Sequence, residues 1–561
     1  MILLFITSSL LLFVGVRIFK WVRNYLQARS YGLPIILLPV SFNEPLWMVF
    51  RPLFAWVEYL PFGLGNWYLY TTMGWPTEDG SRSLRRYGEN LVLCSPVDNI
   101  IATCEPAVVQ KVWTETRDIW RMPESQSQLF TFFGQNVSST HGEDWKRHRK
   151  VTVQAFNERT MVGVWSEAKR QTKALKLTLE KERERSLGRV RSTFDILAMQ
   201  VLAVVAFGQE TELTSVPKGH KMSLMESMGF ILKHVLLTVV FNSLQAPAFL
   251  LPSVLRKLKV SVAEVRLYME ELVLAHMKST SKPSVLRTRP ASLIEAIVSA
   301  NELEKRGDSS GKPRSYLTDS ELYGNIFVFN LGGYETTAAT LTFALPFLAL
   351  HPEIQTWIAE EIDTHAKTHA SGKDEESDLG YNDVYPRLLR TRALMYETLR
   401  FASPAPLFVK TPLVPVNIDV TTPSGPRTIS VKPGTLMGMN QYGAHLSPRW
   451  GSDAETFNPK RFISVDEEGE ERFQMPEGPA YTAWMIGPRM CPARKFSQVE
   501  FAGIMAELLK DWRVEIVREG GESEGEARER VNKVLRDEKY FNVSAHLRRP
   551  EVAGVRFVRR S

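Results

Sequence analysis

The stretch that most restricts the fold begins at Thr318-Asp319-Ser320-Glu321 and then runs mostly apolar to about Leu350. A hydroxyl residue followed three places on by a glutamate predicts a capping box at the start of a long helix. A helix so apolar belongs inside a core. Within it, Gly332-Gly333-Tyr334-Glu335-Thr336-Thr337 breaks local rules twice in one turn. Each glycine costs about 1 kcal/mol against alanine in a helix interior, and a core carboxylate costs more unless it is paired or wetted. Function is expected where local preference and fold conflict in this way.

A second unusual stretch is Trp484-Met485-Ile486-Gly487-Pro488-Arg489-Met490-Cys491-Pro492-Ala493, a Gly/Pro-rich turn ahead of an amphipathic helix with N–H groups from about Phe496 onward. An isolated cysteine is more often a small core residue than a ligand. Here the prolines, the positive helix end and Arg489 favour an exposed thiolate, which needs a cation, and heme iron is a candidate. Thiolate ligation favours cleavage of the O–O bond. The other cysteines are Cys94 and Cys104. Three are too few for a disulfide framework and suit a reducing compartment.

Residues 1–16 carry no charged side chain, and Arg17, Lys20 and Arg23 follow on one side only. This predicts a single-pass membrane anchor over residues 1–23, with Arg17 and Lys20 snorkelling. A signal peptide is the rival reading, but neither a charged n-region nor a small-residue cleavage site is evident. The positive-inside rule leaves the bulk of the chain in the cytosol, so the sequons Asn136-Val137-Ser138 and Asn542-Val543-Ser544 should go unused. Residues 24–75 are expected to be a linker and membrane-interface segment. The aromatic run from Tyr31 to Trp75 either lies in the interface or packs on the body of the protein. Residues 76–561 then form the main domain.

Along that domain, Leu91–Cys94 and Asn99–Ala102 read as short strands, and Pro106 to Trp113 opens a helix. The basic cluster from His141 to Lys150 starts another helix, on which Trp145 and Arg149 share a face. Met222–Val240 and Val260–Met277 read as helical, and Phe230, Ile231, Leu236 and Phe241 either line a pocket or fill core. Asn301–Ser315 and Ala370–Leu379 are expected loops, as are the charged runs Glu467–Glu471 and Gly520–Arg530. Glu397 and Arg400 share a helix face. Strands are expected within Val416–Met439. The fold class is mainly α with small β-sheets (α+β). A net charge of +7 gives no support to nucleic-acid binding.

Five of these motifs stand in the order and register of one family. Trp145-x-x-x-Arg149, Gly332-Gly333-x-Glu335-Thr336, Glu397-x-x-Arg400, Pro459-Lys460-Arg461-Phe462 and the Gly487-x-Arg489-x-Cys491 loop resemble those of the cytochrome P450 family, over about residues 80–515. Two positions depart, with Trp484 where the family usually has Phe and Ala493 where it has Gly. The resemblance implies the cytochrome P450 fold with an N-terminal transmembrane helix, and heme b (iron protoporphyrin IX) ligated by Cys491. It implies that Trp145, Arg149 and Arg489 hold the propionates, with Lys410 near the place of another propionate-binding group. Trp484, Gly487 and Gly333 would border the cofactor, while Glu335 and Thr336 would manage protons. Glu397, Arg400 and Arg461 would form a buried structural set.

The activity so implied is monooxygenation of a lipophilic small molecule, by hydroxylation or epoxidation in secondary metabolite biosynthesis. Electrons would come from NADPH through a diflavin NADPH-cytochrome P450 reductase, with cytochrome b5 as a further partner, at the endoplasmic reticulum membrane. Lys146, Arg147, Lys150, Arg494 and Lys495 would form the basic docking face. The alternatives are a peroxide isomerase or dehydratase of the same fold, and a non-catalytic heme-binding membrane protein.

Overall fold

The computed structural model describes residues 2–115, 119–128, 130–181, 186–187, 190–208, 215–235, 237–238, 251–280, 292–307, 314–370, 380–478 and 480–560. Leu236, Phe241, the end of the expected Met222–Val240 helix, most of the expected 370–379 loop and part of the 301–315 loop lie outside these. The chain divides into two compact units. One holds Met1–Gln126, Ala405–Glu455 and Glu477–Met490; the other holds Ser127–Pro404, Thr456–Pro476 and Cys491–Ser561.

The first unit is built on a six-stranded mixed sheet. Its strands run in the spatial order Ile35–Leu37, Asn90–Cys94, Asn99–Thr103, Leu436–Asn440, Leu407–Pro412, Trp120–Arg121. Asn90–Cys94, Asn99–Thr103 and Leu436–Asn440 are buried on both faces, which is why their sequences do not alternate between apolar and polar residues. Val92, Cys94, Ile101, Met437 and Met439 enter one core cluster, and Leu91, Leu93, Ile100, Ala102 and Val409 enter another. The N-terminal helix extends from Ile2 to Ser30, beyond the expected anchor. Its far end packs on the sheet: Ala28 is buried, and the Trp21 indole donates to the Cys94 carbonyl at 3.2 Å. Arg17 is held on the first unit. Its guanidinium meets Glu44 at 2.6 Å and the Pro39 carbonyl at 2.9 Å, because a planar fork fits a carboxylate better than it fits bulk solvent.

The second unit is organised around the Asp319–Leu350 helix, which opens with the expected capping box. The Thr318 hydroxyl accepts from the Glu321 amide, and the Glu321 carboxylate accepts from the Thr318 amide. Almost all of this helix is buried, against the Val190–Phe207, Leu389–Phe401 and Arg494–Asp511 helices among others. Glu524–Asp537, expected in part as a charged loop, is a helix with its own capping box at Ser523 and Glu526. It forms because Ala527, Val531, Val534 and Leu535 recur at helical spacing and bury together.

Trp512–Ile516 is the outer strand of a three-stranded sheet with Val555–Arg559 and Ser186–Leu187. The Gln355 side-chain amide, from the Pro352–Ala370 helix, meets both backbone groups of Val514 on that strand. It donates to the Val514 carbonyl at 3.0 Å and accepts from the Val514 amide at 2.5 Å. Lys539–Asn542 and Ser544–Leu547 pair as a hairpin whose tip is Val543.

Candidate functional site

In the second unit, Cys491 lies half-buried just ahead of the Arg494–Asp511 helix. The helix begins at Arg494, two residues earlier than expected, with Ala493 as its N-cap. Ala493 has a φ of −89°, a conformation open to any residue, so the alanine is unstrained there. Burial pushes the Cys491 thiol up, while the Ala493 amide and the charges of Arg149 and Arg494 pull it down. The expected exposed thiolate is therefore not produced by the helix end alone, since desolvation opposes the charge. Arg494 also receives a geometric anchor, donating to the Tyr396 hydroxyl at 2.8 Å.

Arg149 and Trp145 share the inner face of the Gly142–Val153 helix, Trp145 buried and Arg149 half-buried. Burial draws the Arg149 guanidinium down and Cys491 raises it; among the described residues it has no carboxylate partner. Arg147 contradicts its expected place on a basic surface. It is buried and donates to both Glu321 oxygens at 2.8 and 2.7 Å, to Asp144 at 2.8 Å and to the Tyr316 carbonyl at 2.9 Å. The fork satisfies a carboxylate already fixed by the capping box. Lys146, Lys150 and Lys495 remain at the surface, paired with Glu143, Glu304 and Glu158.

On the long helix, Gly332, Gly333 and Thr336 form an accessible stripe in an otherwise buried surface. The two glycines differ in what they permit. A Cβ on Gly332 would meet nothing within 4 Å, whereas one on Gly333 would approach the Leu202 methyls at 3.0 Å. Thr336 donates from Oγ1 to the Gly332 carbonyl at 2.7 Å. Glu335 turns the other way and is buried. Its Oε1 meets Arg191 Nη2 at 2.6 Å, accepts from the Ser544 hydroxyl at 2.7 Å and lies 3.5 Å from His546 Nε2. Burial raises this carboxyl, but the His546, Arg191 and Ser544 contacts outweigh it and hold Glu335 at about 2. Glu500, on the Arg494–Asp511 helix, is the opposite case: burial pushes it up to about 8, opposed only by the Thr337 hydroxyl.

The first unit holds the remaining site residues. Gly487 has a φ of +74°, and a Cβ there would lie 2.3 Å from the Trp113 carbonyl oxygen, so only glycine fits. Trp484 is half-buried near Tyr481, with ring centroids 6.1 Å apart. Burial draws Arg489 down to about 10. Lys410 donates to the Val112 carbonyl at 3.1 Å, and burial followed by the Arg489 charge brings it down to about 8. Among the described residues Lys410 has no carboxylate partner, and the buried Trp113 indole nitrogen has no hydrogen-bond acceptor.

The donor set suits heme. In the second unit Arg149 is a sequestered cation without a carboxylate among the described residues, a deficit that a propionate would fill. Among the described residues no three His, Cys, Asp or Glu side chains gather to hold a metal ion.

Glu397, Arg400 and Arg461 are brought together as expected. Arg400 reaches both Glu397 oxygens, and Arg461 Nε lies 3.3 Å from Oε1. Sequence reasoning missed Trp113, Arg191, Ser544 and His546. The first had a signal, a tryptophan ending an apolar helix; Arg191 is an ordinary residue far from every motif, and Ser544 and His546 stand in and beside a sequon that gave no sign of a site. Of the candidate pocket residues, Ile231 is fully buried, while Phe230 is half-buried with its ring tilted at 52° to that of His234, centroids 4.6 Å apart.

A family model for cytochrome P450 matches residues 76–543. Cytochrome P450 monooxygenase 124 of Postia placenta is 28% identical, over 75% of this chain and 78% of its own. A phomenoic acid biosynthesis cluster cytochrome P450 monooxygenase of Leptosphaeria maculans is 27% identical, over 93% of each chain.

Proposed function

Because this chain belongs to the cytochrome P450 family, we propose that it inserts one oxygen atom into a lipophilic small molecule of secondary metabolism. Hydroxylation or epoxidation is the reaction, and electrons pass from NADPH through a diflavin reductase, with cytochrome b5 as a second donor. The observation that most supports this reading is Cys491 under the charge of Arg149, a guanidinium without a carboxylate. A relative named for phomenoic acid biosynthesis supports the metabolic setting.

Heme b would take Cys491 as its ligand and supply dioxygen activation by electron donation from the thiolate. Trp145, Arg149, Arg489 and Lys410 are the groups to hold its propionates, and Trp484, Gly487 and Gly333 would border it. Thr336 faces the accessible stripe of its helix and can pass a proton from its hydroxyl once it leaves the Gly332 carbonyl. Glu335 is ionised and bound on its far side, so it acts by fixing charge behind Thr336 until it exchanges a partner. Three surface lysines, Lys146, Lys150 and Lys495, with Arg494, are what remains of the basic docking face.

The chain is anchored in the endoplasmic reticulum membrane by residues 1–23, with the 76–561 domain cytosolic. The helix from Phe5 to Ser30 is long and apolar enough to cross a bilayer. Leu53, Tyr59 and Phe62 are 71%, 84% and 98% exposed in the first unit, which supports the membrane-interface reading of residues 24–75. Asn136 is fully buried with its amide donating to Phe130 and Gly134 carbonyls, leaving nothing for a glycan. Glycosidase treatment should leave the mobility unchanged; a shift overturns this topology. For the activity, the reconstituted protein should consume NADPH only with the reductase, and product formation without NADPH would favour the isomerase reading instead.

A further inference from the structure

The hairpin Lys539–Asn542/Ser544–Leu547 stands more than two hundred residues from the Gly332–Thr336 motif, yet two of its side chains converge on the acid of that motif. Ser544 is fully buried and donates to Glu335 Oε1 at 2.7 Å, while accepting from Arg191 Nη1 at 3.4 Å. His546 places Nε2 3.5 Å from the same oxygen and 3.0 Å from the Asn542 carbonyl. Between them the tip residue Val543 adopts a φ of +65°. A β-branched residue is a true outlier in that region, at about 1–3 kcal/mol, and persists only where its surroundings over-determine it. Here the surroundings are the pairing of Asn542 with Ser544 on one side and the Ser544–Glu335 bond on the other.

We infer that this hairpin is a latch on Glu335, with Ser544 and His546 as positioning residues that decide whether the acid of the Gly332–Thr336 turn is held ionised away from Thr336 or released toward it. The charged and titratable groups facing Glu335 are Arg191 and Asp195 on the Val190–Phe207 helix, Tyr334 beside it and His546 on the hairpin. Arg191 cannot be the whole latch, because it is divided between two acids, Glu335 at 2.6 Å and Asp195 at 2.7 Å. Burial pushes Asp195 up, Arg191 pulls it down and Glu335 raises it again. Ser544 is what sets Glu335 apart from Asp195, for its hydroxyl reaches Glu335, while the charge of His546, 3.5 Å from Glu335, pulls Asp195 down as well. The inference rests on the proposed role of Glu335 beside Thr336, but its test does not use turnover.

The test is infrared spectroscopy of the full-length heme-loaded protein, following the protonated-carboxyl band of Glu335, assigned by its loss in Glu335→Gln. In the wild type that band should stay absent down to the pH of acid unfolding. In Ser544→Ala and in His546→Phe it should emerge within the folded range, at least one pH unit higher, a tenfold gain in proton affinity. Val543→Gly keeps every polar partner but frees the tip, and should raise the midpoint as well; it serves if Ser544→Ala does not fold. A band that moves only in Arg191→Gln, or in no variant that retains the wild-type carbon monoxide spectrum, overturns the latch. If Glu335 has no part in proton handling, these shifts still occur while Glu335→Gln leaves coupling intact, so the two failures are distinct.

Discussion

Arg400 donates to Glu397 through Nε and Nη2, at 2.8 and 2.9 Å to the two carboxylate oxygens, with neither side chain exposed to solvent at all. The Asn458 amide and Arg461 Nε also donate to Glu397, at 2.7 and 3.3 Å, and Arg400 and Arg461 both meet the Thr456 carbonyl. This is a fully satisfied charge set, and its worth lies in what happens when it is broken.

Glu397→Ala should destabilise the protein by about 3–5 kcal/mol, since it strands Arg400 as a buried charge. Denaturant unfolding of the heme-loaded protein measures it. Arg400→Lys should also destabilise, because a lysine cannot make the two parallel bonds. A loss under about 1 kcal/mol for Glu397→Ala would mean that water reaches the set.

The Arg147–Glu321 pair should appear in the pH dependence of stability. Burial raises Glu321 from 4.5, but Arg147 and the Thr318 amide outweigh it, to about 2. A depressed carboxylate stabilises fully above its unfolded value, so this contribution is complete above about pH 4.5 and lost as pH falls toward 2. Its ceiling is about 3 kcal/mol, at about 1.4 kcal/mol per unit. Glu321→Gln should therefore be less stable than wild type at pH 7, with the gap closing between pH 4.5 and 2. A gap independent of pH would assign the loss to the capping box alone.

Cys491→Ser should abolish the strongly red-shifted Soret band of the reduced, carbon monoxide-bound protein. Cys94→Ser should leave it unchanged, for burial pushes the Cys94 thiol up to about 12 and seals it in the sheet. Retention of the band in Cys491→Ser would remove this cysteine as the ligand.

Thr336→Ala should keep heme content and melting temperature, because losing a bond to the Gly332 carbonyl costs a helix little. Product formation should fall by about 10²-fold, the low end of what a positioned proton donor contributes, with hydrogen peroxide released in its place. Oxygen-consumption and peroxide assays measure the split, and unchanged coupling would take Thr336 out of the proton path.

Local chemistry made much of this legible. Thr318 and Glu321 announce a helix start and Gly487 a turn, each from its immediate neighbours. What escaped depends on partners distant in sequence. Arg147 sits among basic residues and reads as surface, until Glu321 arrives from 174 residues away. Glu335 reads as a proton-handling acid beside Thr336, although Arg191 and Ser544 hold it on the other side of the helix. The Glu524–Asp537 helix was hidden by Gly520, Gly521 and Gly525 and by its charge, while its four spaced apolar residues were the better guide.

The Gln355 amide has a consequence for the molecule in company. A strand at the margin of a sheet offers unpaired donors and acceptors, a template onto which another chain can add. At Val514 both groups are already engaged by a side chain imitating a neighbouring strand. Because Gln355 and Val514 are both buried, this margin is closed to another chain, and Gln355→Leu should strand two buried backbone groups and destabilise the fold by about 1–3 kcal/mol for each.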